Sequence, residues 1–328
     1  MKNILLLLLV GLNLSAQEKA GEPSPKLLPS ELINDHFFLK IPTSNGDTIM
    51  GYCDTGGGFT ALYQATAKKF GLENVISQVT IKGESTRYIE AADIYSNDKI
   101  PYPAIANYYK GSIKEPFFEV PEDNAESSYF LRLAPHDVFL GQFFFINYSW
   151  TFNYLTKELY IHTPLHPALS EVNTQQLGFK KDKNGNKLFG HPSMKLEIDE
   201  KMIDFLFDTG AMFLLSVTGK KELGTTENAI GGSFIAKSIF DQWRQEHPDW
   251  RFIPKGELNG ADMIEVPEIR VGAMVAGPVW FSKRPDEAWS KGMIGSMDKV
   301  VKGAIGGSFL KYFKVTIDYN SELIQFEK

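Results

Sequence analysis

Apolar residues recur along this chain in short runs, most of them ended by glycine, asparagine or charge. Phe37 to Ile41 alternates as a strand does, Ser44-Asn45-Gly46 supplies a turn whose Asn-Gly accepts positive φ, and Thr48 to Cys53 returns as a second strand. That strand runs into Asp54-Thr55-Gly56. The pattern returns later: Ser193 to Ile198, a turn at Asp199-Glu200-Lys201, then Met202 to Phe207 running into Asp208-Thr209-Gly210. Both copies place a phenylalanine five residues beyond the Asp, at Phe59 and Phe213. Ala104 to Tyr109, Lys110-Gly111 and Pro116 to Val120 read as strand, turn, strand, and so do Glu268 to Val271, Gly272 and Pro278 to Phe281. Val138-Phe139-Leu140-Gly141, Phe144-Phe145 and the strand Trp150 to Tyr154 are matched by Gly303-Ala304-Ile305-Gly306, Phe309-Leu310 and Val315 to Tyr319. Helical spacing is sparse. It predicts a short helix over Ala61 to Phe70 and the best one over Phe234 to Trp250, through Ile235, Ile239 and Trp243.

Matched segments in the same order, with slowly drifting separation, are the mark of an internal duplication. The expectation is an all-β protein of two homologous lobes, residues 31–165 and 176–328, joined between about Pro164 and Gln176. Lys183-Asn184-Gly185-Asn186 reads as a hairpin tip; its carboxylates and glycine are misplaced for a calcium loop.

The apolar run Ile4 to Val10, preceded by Lys2 and followed by Ser15-Ala16, has the form of a secretory signal and falls short of the ~20 residues a membrane span needs. Residues 1–16 are expected to be removed after Ala16, leaving 17–30 as a loose leader of a soluble periplasmic or secreted protein. Of the 328 residues 43% are apolar and 23% charged, which excludes a disordered polyelectrolyte. A net charge of −6 disfavours nucleic acid and anionic membrane as partners. Cys53 is the one cysteine, so neither an intrachain disulfide nor a cysteine-based metal cluster can form.

A lone Asp-Thr-Gly arises by accident in about one chain in ten of this length. Two copies, at matching strand ends of two halves, carry information. A strand end projects a carboxylate from a rigid element. Glycine lets the backbone turn and bring amides near it. Threonine offers a hydroxyl that can brace the loop across the interface. If a pseudo-two-fold axis relates the halves, Asp54 and Asp208 meet, and two such close carboxylates share one proton. One member then serves as general base on a water and the other donates to a substrate carbonyl.

These motifs resemble those of the pepsin-like and retropepsin-like aspartic proteases: Asp54-Thr55-Gly56, Asp208-Thr209-Gly210-Ala211, and the hydrophobic-Gly pairs Leu140-Gly141 and Ile305-Gly306. The turns at Gly111 and Gly272 are more similar to the bacterial retropepsin-like branch than to digestive pepsins. The resemblance implies two β-barrel-like lobes and a catalytic pair Asp54 and Asp208. It implies that Thr55 and Thr209 interlock beneath the pair, that Gly56 and Gly210 shape the turns, and that the hydrophobic-Gly segments pass behind. It implies an exported, monomeric aspartic endopeptidase acting on peptide or protein, with no cofactor or metal, at acidic to near-neutral pH. A flap aromatic is expected, with Tyr88 and Tyr95 as candidates. Where that family has Ser, Thr or Ala after the glycine, this chain has Ala211 in one loop but Gly57-Gly58 in the other. The three glycines suggest a slack loop, and with it an alternative reading: an inactive protease-like protein that holds peptides without cutting them.

The remaining chemistry reads as structural. Phe143-Phe144-Phe145 belongs to the core, Asp204 faces outward, and Cys53 points away from the Asp face as a buried, inert thiol. His36, His136, His162, His166, His191 and His247 have no metal-ligand spacing and are expected at the surface or in capping roles. No Gly-x-Ser-x-Gly, phosphate-binding loop or His-Glu-x-x-His occurs.

Overall fold

A computed structural model describes residues 25–81, 83–104, 113–123, 125–162, 169–170 and 173–328. The expected signal segment, most of the Ala104 to Gly111 strand and turn, and the start of the joint lie outside these residues.

The protein is all-β with few short helices. Each half opens with the expected antiparallel hairpin: His36–Pro42 with Thr48–Cys53, and Ser193–Ile198 with Lys201–Phe207. Alternation places Phe37, Leu39 and Cys53, and in the second copy Leu196, Phe205 and Phe207, in the buried core. The second strand of each hairpin then pairs in parallel with a hydrophobic-Gly strand. Cys53 lies opposite Leu140 and Phe207 opposite Ile305, the same register in both lobes. Val138–Leu140 pairs antiparallel with Ala61–Tyr63, which runs parallel to Pro116–Val120. Gly303–Ile305 does the same with Phe234–Ala236 and Val279–Arg284. The two lobes therefore share one topology. Among the described residues, each sheet runs in an open order, eight strands in the first lobe and nine in the second, with no pairing that joins its two ends.

A six-stranded sheet spans the lobes, in the order Lys26–Leu28, Glu158–His162, Ser149–Asn153, Lys314–Asp318, Leu323–Glu327, Thr174–Gln176. At its middle, Ser149–Asn153 from the first half pairs antiparallel with Lys314–Asp318 from the second. The pair is centred on Thr151 and Thr316, whose hydroxyls bond at 2.8 Å. Trp150, Phe152, Val315, Ile317 and Phe326 pack this sheet into the core cluster that holds residues of both lobes.

Four expectations are corrected. The leader is not loose to Ser30: Lys26–Leu28 pairs with Glu158–His162 because Leu28 buries its side chain, and Ser30–Ile33 is a strand. The expected helix Ala61 to Phe70 is a strand, Ala61–Tyr63, running directly into a helix, Gln64–Lys69. Phe234 to Trp250 divides in the same way into Phe234–Ala236 and Lys237–Glu246, so Ile235 is a strand residue. Gly272, at φ +58°, turns Ile269–Val271 into an additional strand, Met274–Ala276, before Val279–Arg284.

The lobes differ after the second Asp-Thr-Gly. In the first lobe Ala61–Tyr63 follows almost at once. In the second, Met212–Leu214 and Ala229–Gly231 form an extra pair around a helix, Val217–Leu223, capped by the Ser216 hydroxyl and ended by left-handed Gly224. Phe213, fully buried in this excursion, is not the counterpart of Phe59, which is 37% exposed. The Lys183 to Asn186 stretch is a hairpin tip as expected, with the Asp182 carboxylate accepting from the Asn184 and Asn186 amides.

Candidate active site

Each Asp-Thr-Gly loop is held from behind by its hydrophobic-Gly strand. The Asp54 amide donates to the Leu140 carbonyl and the Asp208 amide to the Ile305 carbonyl, both at 3.0 Å. The close approach explains the glycines of those motifs. A Cβ on Gly141 would sit 2.4 Å from the Gly58 carbonyl oxygen, and one on Gly306 2.7 Å from that of Asp208. Within each loop the glycine amide turns back on the carboxylate: Gly56 donates to Asp54 Oδ1 at 2.9 Å and Gly210 to Asp208 Oδ1 at 3.0 Å.

The two loops meet face to face. The Thr55 amide donates to Thr209 Oγ1 (3.1 Å) and the Thr209 amide to Thr55 Oγ1 (3.0 Å). Thr55 Oγ1 donates onward to the Phe207 carbonyl (3.2 Å) and Thr209 Oγ1 to the Cys53 carbonyl (3.0 Å). Both threonines are fully buried, and four buried groups are satisfied only by the opposite lobe. Above them, a Cβ on Gly56 would lie 2.3 Å from Asp208 Cγ, and one on Gly210 2.0 Å from Asp54 Cγ. Only glycine leaves room for the opposite carboxyl.

Asp54 and Asp208 lie in mutual hydrogen-bonding contact. Burial, then the charge and hydrogen bond of Asp208, push the Asp54 carboxyl well above its usual range. Burial also raises Asp208, against the opposing pull of the Asp54 hydrogen bond and the Gly210, Ala211 and Gly56 amides. Burial and the proximity of the two acids therefore let the pair hold one shared proton above the ordinary carboxylate range.

The Gly57-Gly58 loop is not slack at Gly57. The Gly57 carbonyl accepts from the Gln142 amide (3.2 Å) and pairs with His191 Nε2 (3.0 Å), and a Cβ there would strike the Phe139 ring at 2.4 Å. Gly58 is open to solvent, with nothing near its Cβ position. Beside it, Phe59 stacks on Phe143 and meets Phe118 edge-on.

Several residues of the site escaped the sequence. His36, His136 and His191 are buried, contrary to expectation. His36 places Nε2 3.1 Å from the Ala211 carbonyl and Nδ1 2.8 Å from that of Asn34. Burial lowers all three histidines to about 4. Tyr52 donates to the Gly210 carbonyl (2.7 Å) and Tyr129 to that of Met212 (3.0 Å), two further bonds from the first half to the second loop. One signal was present: His36 and His191 stand just before matching strands of the repeat. Of the two flap candidates, Tyr95 is an interior residue whose hydroxyl donates to the Pro101 carbonyl. Tyr88 sits in the strand Glu84–Glu90 of a hairpin and packs with Ile113 and Phe118. Cys53 is fully buried, and burial pushes its thiol far up, as an inert group. Asp204 is part-exposed and faces Lys299.

Among the described residues, one group could present metal ligands: Asp199 in the turn of the second hairpin, with Glu246 and His247 at the end of the helix Lys237–Glu246. Lys201 already lies 3.1 Å from Glu246 and 3.6 Å from Asp199, so a cation is in place there.

No protein-family model and no curated protein matches this chain. Among solved structures, a retropepsin-like aspartic protease from Rickettsia conorii aligns over 49% of this chain and 96% of its own, with 15% identity and a TM-score of 0.28.

Two outcomes follow from the interlock and the buried rings. Thr55→Val orphans the Thr209 amide and the Phe207 carbonyl, and should cost about 1–3 kcal/mol for each in urea unfolding, whereas Thr55→Ser should keep most of the stability. A histidine held neutral by burial stabilises the fold above its unfolded pKa near 6.5 and loses that contribution as pH falls toward about 4. Unfolding free energy should drop by about 1.4 kcal/mol per pH unit for each of the three rings across that window; a flat profile there would contradict their neutral burial.

Proposed function

We propose that this protein is an aspartic-type endopeptidase that hydrolyses peptide bonds with a water held between Asp54 and Asp208. The observation that carries the reading is the meeting of two carboxyls from matching loops, each lying where a Cβ on the other loop's glycine would stand. The ionised member of the pair takes a proton from the water as its oxygen attacks the peptide carbonyl carbon. The protonated member gives its proton to the carbonyl oxygen, forming a tetrahedral diol. The member that took the water proton then passes it to the amide nitrogen as the C–N bond breaks, and a diol hydroxyl returns its proton to the other, leaving a carboxylic acid, an amine and the singly protonated pair. Thr55, Gly56, Thr209 and Gly210 hold the pair in place, and this chemistry calls for no metal or covalent intermediate.

The motive for a peptide-holding protein without hydrolysis was a slack Gly57-Gly58 loop. The bonds to the Gly57 carbonyl remove that motive. Because burial raises both carboxyls, the singly protonated pair should persist above the ordinary carboxylate range, which favours near-neutral over strongly acidic working conditions.

We also propose export. The run Ile4 to Val10 with Ser15-Ala16 supports it. Among the described residues no helix is long and apolar enough to cross a membrane.

Asp54→Asn and Asp208→Asn should each lower cleavage of casein or a peptide library by roughly 10²–10⁴-fold. Wild-type activity should fall at acid pH as the pair takes a second proton and at alkaline pH as it loses the shared one. Variants that cleave like wild type would end the assignment. For export, intact-mass analysis of protein recovered from the periplasm or medium should find a chain beginning at or near Gln17; a chain retained in the cytoplasm with Met1 would refute it.

A further inference from the structure

The buried histidines next to the loops have no part in the proton transfers above. Two of them stand in equivalent places. His36 opens the strand His36–Pro42 and His191 lies just before Ser193–Ile198, the first strand of each hairpin. Each ring reaches the carbonyl of the residue that follows the other lobe's Asp-Thr-Gly: His191 Nε2 lies 3.0 Å from the Gly57 oxygen and His36 Nε2 3.1 Å from the Ala211 oxygen. Each of those carbonyls also accepts one bond from its own lobe, from the Gln142 amide at Gly57 and the Gly232 amide at Ala211. Each loop end is thus held by one donor from its own half and one imidazole from the opposite half.

We propose that His36 and His191 are reciprocal positioning residues, each crossing the lobe interface to fix the other lobe's Asp loop in register with its partner carboxyl. This rests on the dyad reading above and adds to it the parts that align the dyad. A carbonyl cannot donate, so the bond to Gly57 requires the Nε2–H form of His191. In that form Nδ1 is an acceptor 2.8 Å from the Ser296 hydroxyl, which reaches it by turning its hydrogen from the Met293 carbonyl at 3.1 Å. His36 faces carbonyls at both ring nitrogens, and its Nε2–H form is the one that holds Ala211. The need is greatest in the first lobe. Gly57 has no side chain with which to brace its loop, and its amide donates to the Asp54 carbonyl at 3.2 Å. Movement at the Gly57 carbonyl therefore passes directly to the turn that carries Asp54. Neither imidazole touches the carboxyls, so the effect is on alignment and not on proton transfer.

The test compares side chains of different reach in the full mature protein. The Nε2 of glutamine can occupy the place of the histidine Nε2, and the amide of asparagine falls short of it. His191→Gln and His36→Gln should keep kcat within about threefold of wild type, while His191→Asn and His36→Asn should lose up to about 100-fold in kcat with KM nearly unchanged, the effect of a sub-ångström to ångström misplacement of reacting groups. Thermal unfolding confirms that each variant is folded at the assay temperature. Titration of ¹³C-labelled aspartate carboxyls supplies a readout that needs no turnover: the Asn variants should shift the titration of the Asp54–Asp208 pair and the Gln variants should not. Folded Asn variants with wild-type kcat and an unmoved carboxyl titration would overturn the proposal, and so would equal losses from Gln and Asn. Absence of Asp54-dependent cleavage in the wild type would instead bring down the peptidase reading, with the carboxyl titration still deciding whether the histidines position the pair.

Discussion

Two buried threonines make four hydrogen bonds across the middle of this molecule, two of them to each other, and neither loop is complete without the other. Each threonine amide is satisfied by the opposite hydroxyl, and each hydroxyl by a carbonyl of the opposite strand end. An unpaired buried amide or carbonyl costs as much as several favourable contacts contribute, so the lobes are committed to one relative placement at this point. The carboxyls inherit that placement. With glycine at 56 and 210, each loop leaves a gap the size of a Cβ, and the opposite carboxyl fills it.

The same reciprocity recurs at larger scale. The pairing of Ser149–Asn153 with Lys314–Asp318 is symmetric about Thr151 and Thr316, so the spanning sheet carries the same two-fold relation as the loops. The first lobe sends Tyr52, Tyr129 and His36 to the second loop and its excursion, and the second lobe sends His191 to the first loop. Symmetry is broken where the second lobe inserts the Met212–Leu214 and Ala229–Gly231 pair. It is broken again at the two carboxyls, where Asp54 is buried and Asp208 part-buried.

Hairpins and motif strands were legible because period-2 alternation is a local property that burial on one face enforces. The helices were misplaced in both lobes for one reason. Ala61–Tyr63 and Phe234–Ala236 run into helix with no glycine, proline or polar turn between, so nothing in the residues marks the change of period. Phe213 was matched with Phe59 by counting, which fails where a loop is enlarged. Tyr95 offered the right side chain for a cleft but is consumed by the interior. The histidines looked idle because their partners are backbone carbonyls in the other half, and a carbonyl has no signature in sequence.

What the residues alone determined is the duplication, the all-β character and the two Asp-Thr-Gly turns. Each of these is written in short-range spacing and residue type, since alternation, turn chemistry and the demand for glycine all act within a few residues. Only the tertiary structure decided that Gly57 is pinned, that His36 and His191 are buried across the interface, and that the leader ends in a strand. It also decided that the two acids stand in unequal surroundings. Those facts depend on which groups from distant parts of the chain come together to exclude water, and desolvation and hydrogen-bond satisfaction are properties of that assembled environment.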